Sequence, residues 1–227
     1  MANANTATYS GRSILWRMVK GAGTEPKNIG WGDAPATVTG SANPNVNLFK
    51  PQTETRVAGT STQTTTTFLG DTYQVVGTLT CLVSAKTITE AGLFDTTTLS
   101  PTTTVSASMT AAQTTVSLGN ASGIATSSYY RQIENETVLV TGGSNTTTET
   151  ITRGALGSTS AVHNAGVPTT VGGDGGAGQG GATSGQAGTN QASAANFGGS
   201  MFAHADFAGI ALSVSDSINF TFLDQLT

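Results

Sequence analysis

Two histidines and a handful of carboxylates are the groups in this 227-residue chain best suited to proton transfer or metal binding. His163 and His204 lie far apart, and neither has a second ligand at metal spacing. His204 and Asp206 alternate, so they share one side of a strand, the pattern of a polar outer face rather than of a catalytic pair. Glu134 and Glu136 flank Asn135 near a strand start. Such a pair suits acid–base work or Ca²⁺ binding, and equally suits a solvated strand face. There is no GxSxG elbow, so Ser–His–Asp hydrolysis lacks support. Gly173-Asp174-Gly175-Gly176-Ala177-Gly178 fits G-x-G-x-x-G, but it neither follows a parallel strand nor opens a helix. No GxxxxGK[ST] phosphate loop exists. The single cysteine, Cys81, excludes an intrachain disulfide and a Cys-based metal site; its place in the run Tyr73–Val83 makes it a small core residue. These readings point away from an enzyme, and no cofactor or metal is expected.

The elements that must position these groups are strands. Charged residues make up only 10% of the chain and aromatics 6%, with 29 glycines and many threonines. β-Branched side chains lose rotamer freedom in helices, and the Glu, Lys and Leu of amphipathic helices are scarce. The net charge of −4 leaves no basic footprint for nucleic acid. The apolar runs are too short to span a membrane, and MANANTATYS lacks the apolar stretch of a secretory signal.

Residues 1–50 read as an extended N-terminal arm. Ser13–Lys20 is apolar enough for a short helix or strand, and the following stretch is rich in Gly, Pro and Asn. The arm holds five basic residues (Arg12, Arg17, Lys20, Lys27, Lys50) against two acidic ones, and two exposed-looking anchors, Trp16 and Trp31. Residues 51–95 and 200–227 read as strands. Ile218, Phe220 and Phe222, spaced by two, put three large apolar groups on one face, and Gly77 signals a bulge or a close backbone approach. Residues 96–171 form a second β unit, with short strands at 116–120, 136–142 and 148–154. Residues 172–199 are a Gly-rich linker.

Two sets of segments carry a resemblance. IGWG (29–32), TRVAGTSTQTTTTFLGDTYQVVGTLT (55–80), ITEAGLFD (88–95) and GGSMFAHADFAGIALSVSDSINFTFL (198–223) are similar to a family of small virion proteins of tailed bacteriophages. ETITRGALGSTSAVHNAGVPTTV (149–171) resembles a β module of phage tail and capsid-surface proteins, with Ser158-Thr159 where that module has Thr directly after Gly157. The resemblance implies an all-β chain: an antiparallel β-sandwich or jelly-roll-like body, with a small β domain inserted at the tip of a hairpin between Glu90–Asp95 and Ser200–Phe207. It implies a capsid cement or decoration protein on the outer face of the head. The expected partner is the major capsid protein, in a homotrimer, without direct nucleic acid or membrane contact. The alternative is a tail, fibre or baseplate component. Arg12, Trp16, Arg17, Lys20 and Trp31 are the expected capsid contacts. Glu90 and Gly92 are expected to shape a turn, with the Glu90 carboxylate accepting backbone N–H groups. Arg153 and His163 are expected to fix turns as hydrogen-bond donors.

Overall fold

The computed structural model describes residues 6–19, 21, 23–33, 46–121, 129–172 and 199–225. Among the described residues the chain is all-β apart from one helix and a single 3-10 turn, and every strand pairing is antiparallel.

The body is built from two sheets. The first runs β1 (Thr6–Ala7), β13 (Met201–Leu212), β6 (Lys86–Phe94), β2 (Asn28–Gly32), β3 (Val57–Ala58). The second runs β14 (Ser217–Gln225), β5 (Thr72–Thr80), β4 (Thr60–Thr64). Gly59 carries the chain from β3 to β4, from one sheet to the other; a Cβ there would press on Val75 and Val76. Apolar residues of both sheets meet in one core: Ile29, Trp31, Ile88, Leu93 and Phe202 from the first, Val75, Leu79 and Phe222 from the second. Ile218 and Phe220 pack against that core beside Phe222, as their spacing predicts. Gly77 marks a close approach, not a bulge. Its pairing with Phe220 is regular, and a Cβ would stand 2.9 Å from Ile29 Cδ1.

Residues 6–33 are not an extended arm. Tyr9–Val19 form α1, whose Ile14 enters the body core. Thr8 caps the helix, its Oγ1 accepting the Gly11 N–H at 2.9 Å. Gly11 lets the helix lie against the Phe202 carbonyl, where a Cβ has no room. β2 then inserts between β6 and β3, with Trp31 opposite Ala91. The segment NIGWG lies in the Gly-, Pro- and Asn-rich stretch of the expected arm, yet all five of its residues are buried. The reason lies overhead: Glu90 and the Lys50 carbonyl occupy the space a side chain at Gly32 would need.

β6 and β13 pair although residues 95–200 intervene. Glu90 lies opposite Asp206, Gly92 opposite His204 and Phe94 opposite Met201. The chain between them forms a third sheet in the order β7 (Thr102–Thr104), β12 (Pro168–Val171), β9 (Tyr129–Ile133), β10 (Glu136–Gly142), β11 (Thr148–Thr152), β8 (Thr115–Ser117). Its outer strands meet. Val105 bridges Leu118, Ser106 N–H donates to the Ser117 carbonyl and Gly119 N–H to the Thr104 carbonyl, both at 2.8 Å. The sheet therefore closes into a small barrel, which removes its edges. Its interior holds Val105, Met109, Val116, Leu118, Tyr129, Ile133, Val138, Val140, Ile151 and Val171. The Gly-rich linker lies outside the described residues, apart from Gly172 and Gly199 at its ends.

Candidate functional site

Two places hold the polar residues singled out above, the seam between body and barrel and the barrel interior, and the far end of the body is a third place of note.

At the seam, Val46–Lys50 form a strap. Val46 N–H donates to Gln132 Oε1 at 3.1 Å, Asn47 Nδ2 to the Val171 carbonyl at 2.8 Å, and Thr170 Oγ1 to the Leu48 carbonyl at 3.1 Å. Leu48 packs with Phe94 and Met201. The strap's other end belongs to the body. Glu90, in the middle of β6, accepts the Phe49 N–H at 3.1 Å and the Lys50 N–H at 2.9 Å, one on each oxygen. Glu90 is thus a backbone acceptor as expected, but it pins the strap and does not shape a turn. Gly92, also within the strand, gives the strap room: Leu48 and Met201 side chains fill the place of a Cβ.

His204 faces Glu90 from β13, its Nε2 3.0 Å from Glu90 Oε2, and its ring stacks edge-on with Phe49 at 5.3 Å. It is buried, which corrects the reading of a polar outer face. Asp206 Oδ1 lies 3.5 Å from the same nitrogen. Burial raises the Asp206 carboxyl above its usual range; His204 opposes the shift and Glu90 adds to it. Among the described residues, Glu90, His204 and Asp206 are the group whose donor atoms converge as metal ligands do, all within 4.8 Å. Since both Glu90 oxygens already accept strap N–H groups, the arrangement acts as a brace.

Arg17 and Trp31, expected to reach a partner, are inside the protein. Trp31 is 1% exposed. Arg17 Nη2 donates to Asp95 Oδ2 at 3.1 Å and to Ser200 Oγ at 2.9 Å, holding the two chain ends that lead to the barrel. Neither presents a docking surface. Lys20 and the side chains of Arg12 and Trp16 lie outside the described residues. Arg56, not flagged from sequence, stacks over the Phe94 ring at 3.4 Å and donates to the Thr98 carbonyl at 2.8 Å. Burial lowers its guanidinium to about 9, with Asp95 opposing the shift.

In the barrel, Arg153 grips Glu136 with two bonds of 2.7 and 2.6 Å and donates to the Gln113 carbonyl at 3.3 Å. His163 sits between Glu134 (2.7 Å from Nδ1) and Glu136 (2.8 Å from Nε2). Glu136 also accepts the Gly154 and Ala161 N–H groups. Burial would raise the Glu136 carboxyl, but these donors outweigh it and hold it down to about 2. Burial would lower the His163 imidazole, but its two carboxylates win and raise it. The pair Glu134 and Glu136 is therefore joined by a histidine and closed by an arginine; it is no open solvated face. Deeper in the interior, Arg131 bonds Glu149 through Nε (2.8 Å) and Nη2 (2.7 Å), and Tyr129 donates to the same carboxylate. Nothing in the spacing of Arg131 and Glu149 announces this pair, because β11 must fold beside β10 before the two side chains meet.

The far end of the body is apolar. There β6 begins and β13 ends, with Lys86 opposite Leu212. The two turns that follow β5 and β13 are tied together: Cys81 N–H donates to the Asp216 carbonyl and Ser215 N–H to the Cys81 carbonyl, both at 2.8 Å. Leu82, Val83 and Val214 stand exposed on these turns. Asp216 fixes the second turn by accepting the Ser213 N–H at 2.7 Å. Behind them, Lys86 and Glu54 form a buried ion pair.

No family model matches the chain, and no curated protein matches it. Among the described residues, no helix is long and apolar enough to cross a membrane.

Proposed function

We propose that this chain is a capsid decoration protein of a tailed bacteriophage, which binds the outer surface of the major capsid protein lattice and stabilises the head. One observation carries the reading beyond the sequence resemblance. The barrel departs from the Phe94–Met201 end of the β6–β13 pair, and the exposed apolar turns lie at the opposite, Lys86–Leu212 end. A body docked by those turns holds the barrel away from the shell.

The mechanism is adhesion, without turnover. Leu82, Val83 and Val214 sit on hydrogen-bonded turns, so little conformational freedom is lost when they are covered. Each contact is weak by itself. Copies that engage neighbouring shell subunits gain effective concentration, and binding to the assembled lattice alone stabilises it by mass action. This assigns the capsid contact to the far turns and replaces Arg17 and Trp31.

The test is co-sedimentation with purified heads that lack the protein. The triple variant Leu82→Asp, Val83→Asp, Val214→Asp keeps the fold and loses binding at least tenfold, equivalent to about 1.4 kcal/mol. Wild-type sedimentation of that variant contradicts the assignment.

A further inference from the structure

The brace beneath the strap has the makings of a metal site. Glu90, His204 and Asp206 come from two paired strands, and their donor atoms converge on one face of the sheet. His204 Nε2 is 3.0 Å from Glu90 Oε2 and 3.5 Å from Asp206 Oδ1. Two ligand atoms on one zinc ion, each about 2.1 Å from it, stand about 3.4 Å apart in a tetrahedron. The spacing of these donors therefore suits a coordination sphere as well as a hydrogen bond.

The surroundings hold the donors in place, as the outer partners of metal ligands do. A carboxylate has about four lone-pair positions, and the Phe49 and Lys50 N–H groups take one on each Glu90 oxygen. A further position on Oε2 faces the imidazole. The Phe49 ring stands edge-on against that imidazole. Gly32 lies opposite Glu90 on the other side and leaves the carboxylate its space. Register shifts bracket the stretch of β13 that carries His204 and Asp206, one between Met201 and Ala203 and one between Asp206 and Ile210. Bulges gather beside sites because they re-aim side chains.

Charge and exposure point to a cation. Glu90 and His204 are buried, and the Asp206 side chain is 28% exposed. With the imidazole protonated, two carboxylates and one cation sum to −1 in a site largely out of water. An unbalanced buried charge is costly. The Lys50 ammonium does not supply the balance, for it is paired with Asp33 at 2.9 Å. A divalent ion on two carboxylates and a neutral imidazole sums to zero.

We infer that Glu90, His204 and Asp206 bind one divalent transition-metal ion of the Zn²⁺ class, which clamps the Val46–Lys50 strap to the β6–β13 pair. The imidazole selects this class, since Ca²⁺ and Mg²⁺ take oxygen ligands. The ion takes the place of the Nε2 proton, which leaves to solvent. The exposed edge of Asp206 is the way in, and it leaves the fourth position to water. The strap also binds Gln132 and Val171 of the barrel, so the metal tightens the joint between barrel and body.

The experiment uses the full chain without an affinity tag and with no capsid present, so it stands apart from the shell-binding reading. Titration calorimetry of the chelator-treated protein with zinc chloride finds one ion per chain, with a dissociation constant on the order of 1 μM. The melting temperature rises with Zn²⁺ and not with Ca²⁺ or Mg²⁺. Asp206→Asn and His204→Gln each weaken Zn²⁺ binding at least tenfold, with the circular dichroism of the wild type. His163→Gln, in the barrel, leaves binding unchanged. Asp206→Asn, at the rim, decides the matter if His204→Gln does not fold. No binding at Zn²⁺ on the order of 100 μM, or binding that Asp206→Asn leaves intact, overturns the inference.

Discussion

Asp95 and Ser200 are 105 positions apart and hold each other by two hydrogen bonds: Asp95 N–H to the Ser200 carbonyl at 3.2 Å, and Ser200 N–H to Asp95 Oδ1 at 2.7 Å. Arg17 binds both residues from α1. The barrel is thus an excursion whose two ends are clamped to each other by the body. Gly199 makes the clamp possible, for its φ of +68° and the crowding by Asp95 and Thr96 leave no place for a side chain.

Because the clamp belongs to the body, the barrel is dispensable for the body's fold. Replacing residues 97–198 by a two-residue Asn-Gly turn leaves a β-sheet protein that melts cooperatively. Its melting temperature falls, since Val46 and Leu48 lose the barrel side of the strap. A chain without β-sheet circular dichroism contradicts the clamp.

β2 is a central strand, so the N-terminal segment is needed for folding. Trp31→Ala opens a cavity between the two body sheets and costs about 3–5 kcal/mol in chemical denaturation. A loss below about 1 kcal/mol contradicts the placement of Trp31 in the core.

Glu90 joins the strap to the β6–β13 pair. Glu90→Ala leaves two strap N–H groups and a buried histidine without their acceptor, at a cost of about 3–5 kcal/mol. Glu90→Gln retains one acceptor oxygen and loses less. Faster amide exchange at Phe49 and Lys50 in Glu90→Ala reports release of the strap; unchanged exchange there contradicts the pin.

The barrel's stability depends on pH in two directions. His163 titrates above its ordinary 6.5 in the folded state, so its contribution is complete below that value and is lost as pH rises through the raised one. Glu136 titrates near 2 instead of 4.5, so its contribution is present above 4.5 and is lost as pH falls toward 2. Barrel melting is therefore highest between about 4.5 and 6.5. His163→Gln flattens the alkaline limb, and Arg153→Ala lowers melting throughout; an alkaline limb that persists in His163→Gln contradicts the coupling.

The all-β class was legible because threonine, glycine and scarce charge leave few ways to build helices. Local period was legible too: Ile218, Phe220 and Phe222 face the core, and 136–142 is β10 as read. What the sequence hid depends on distant chain. NIGWG is a strand because Glu90 and Arg56 stand where its missing side chains would be. His204 looks exposed by alternation, but the Val46–Lys50 strap covers that face. Barrel closure rests on the Val105–Leu118 bridge, for which no local pattern exists.

The most direct test of the central claim is a cryo-EM map of the assembled particle, with the copy number read from it. The account predicts hundreds of copies on the head, the Leu82–Val214 turns against the shell and the barrel pointing outward. Absence from purified particles, or about six or twelve copies confined to the tail, contradicts it.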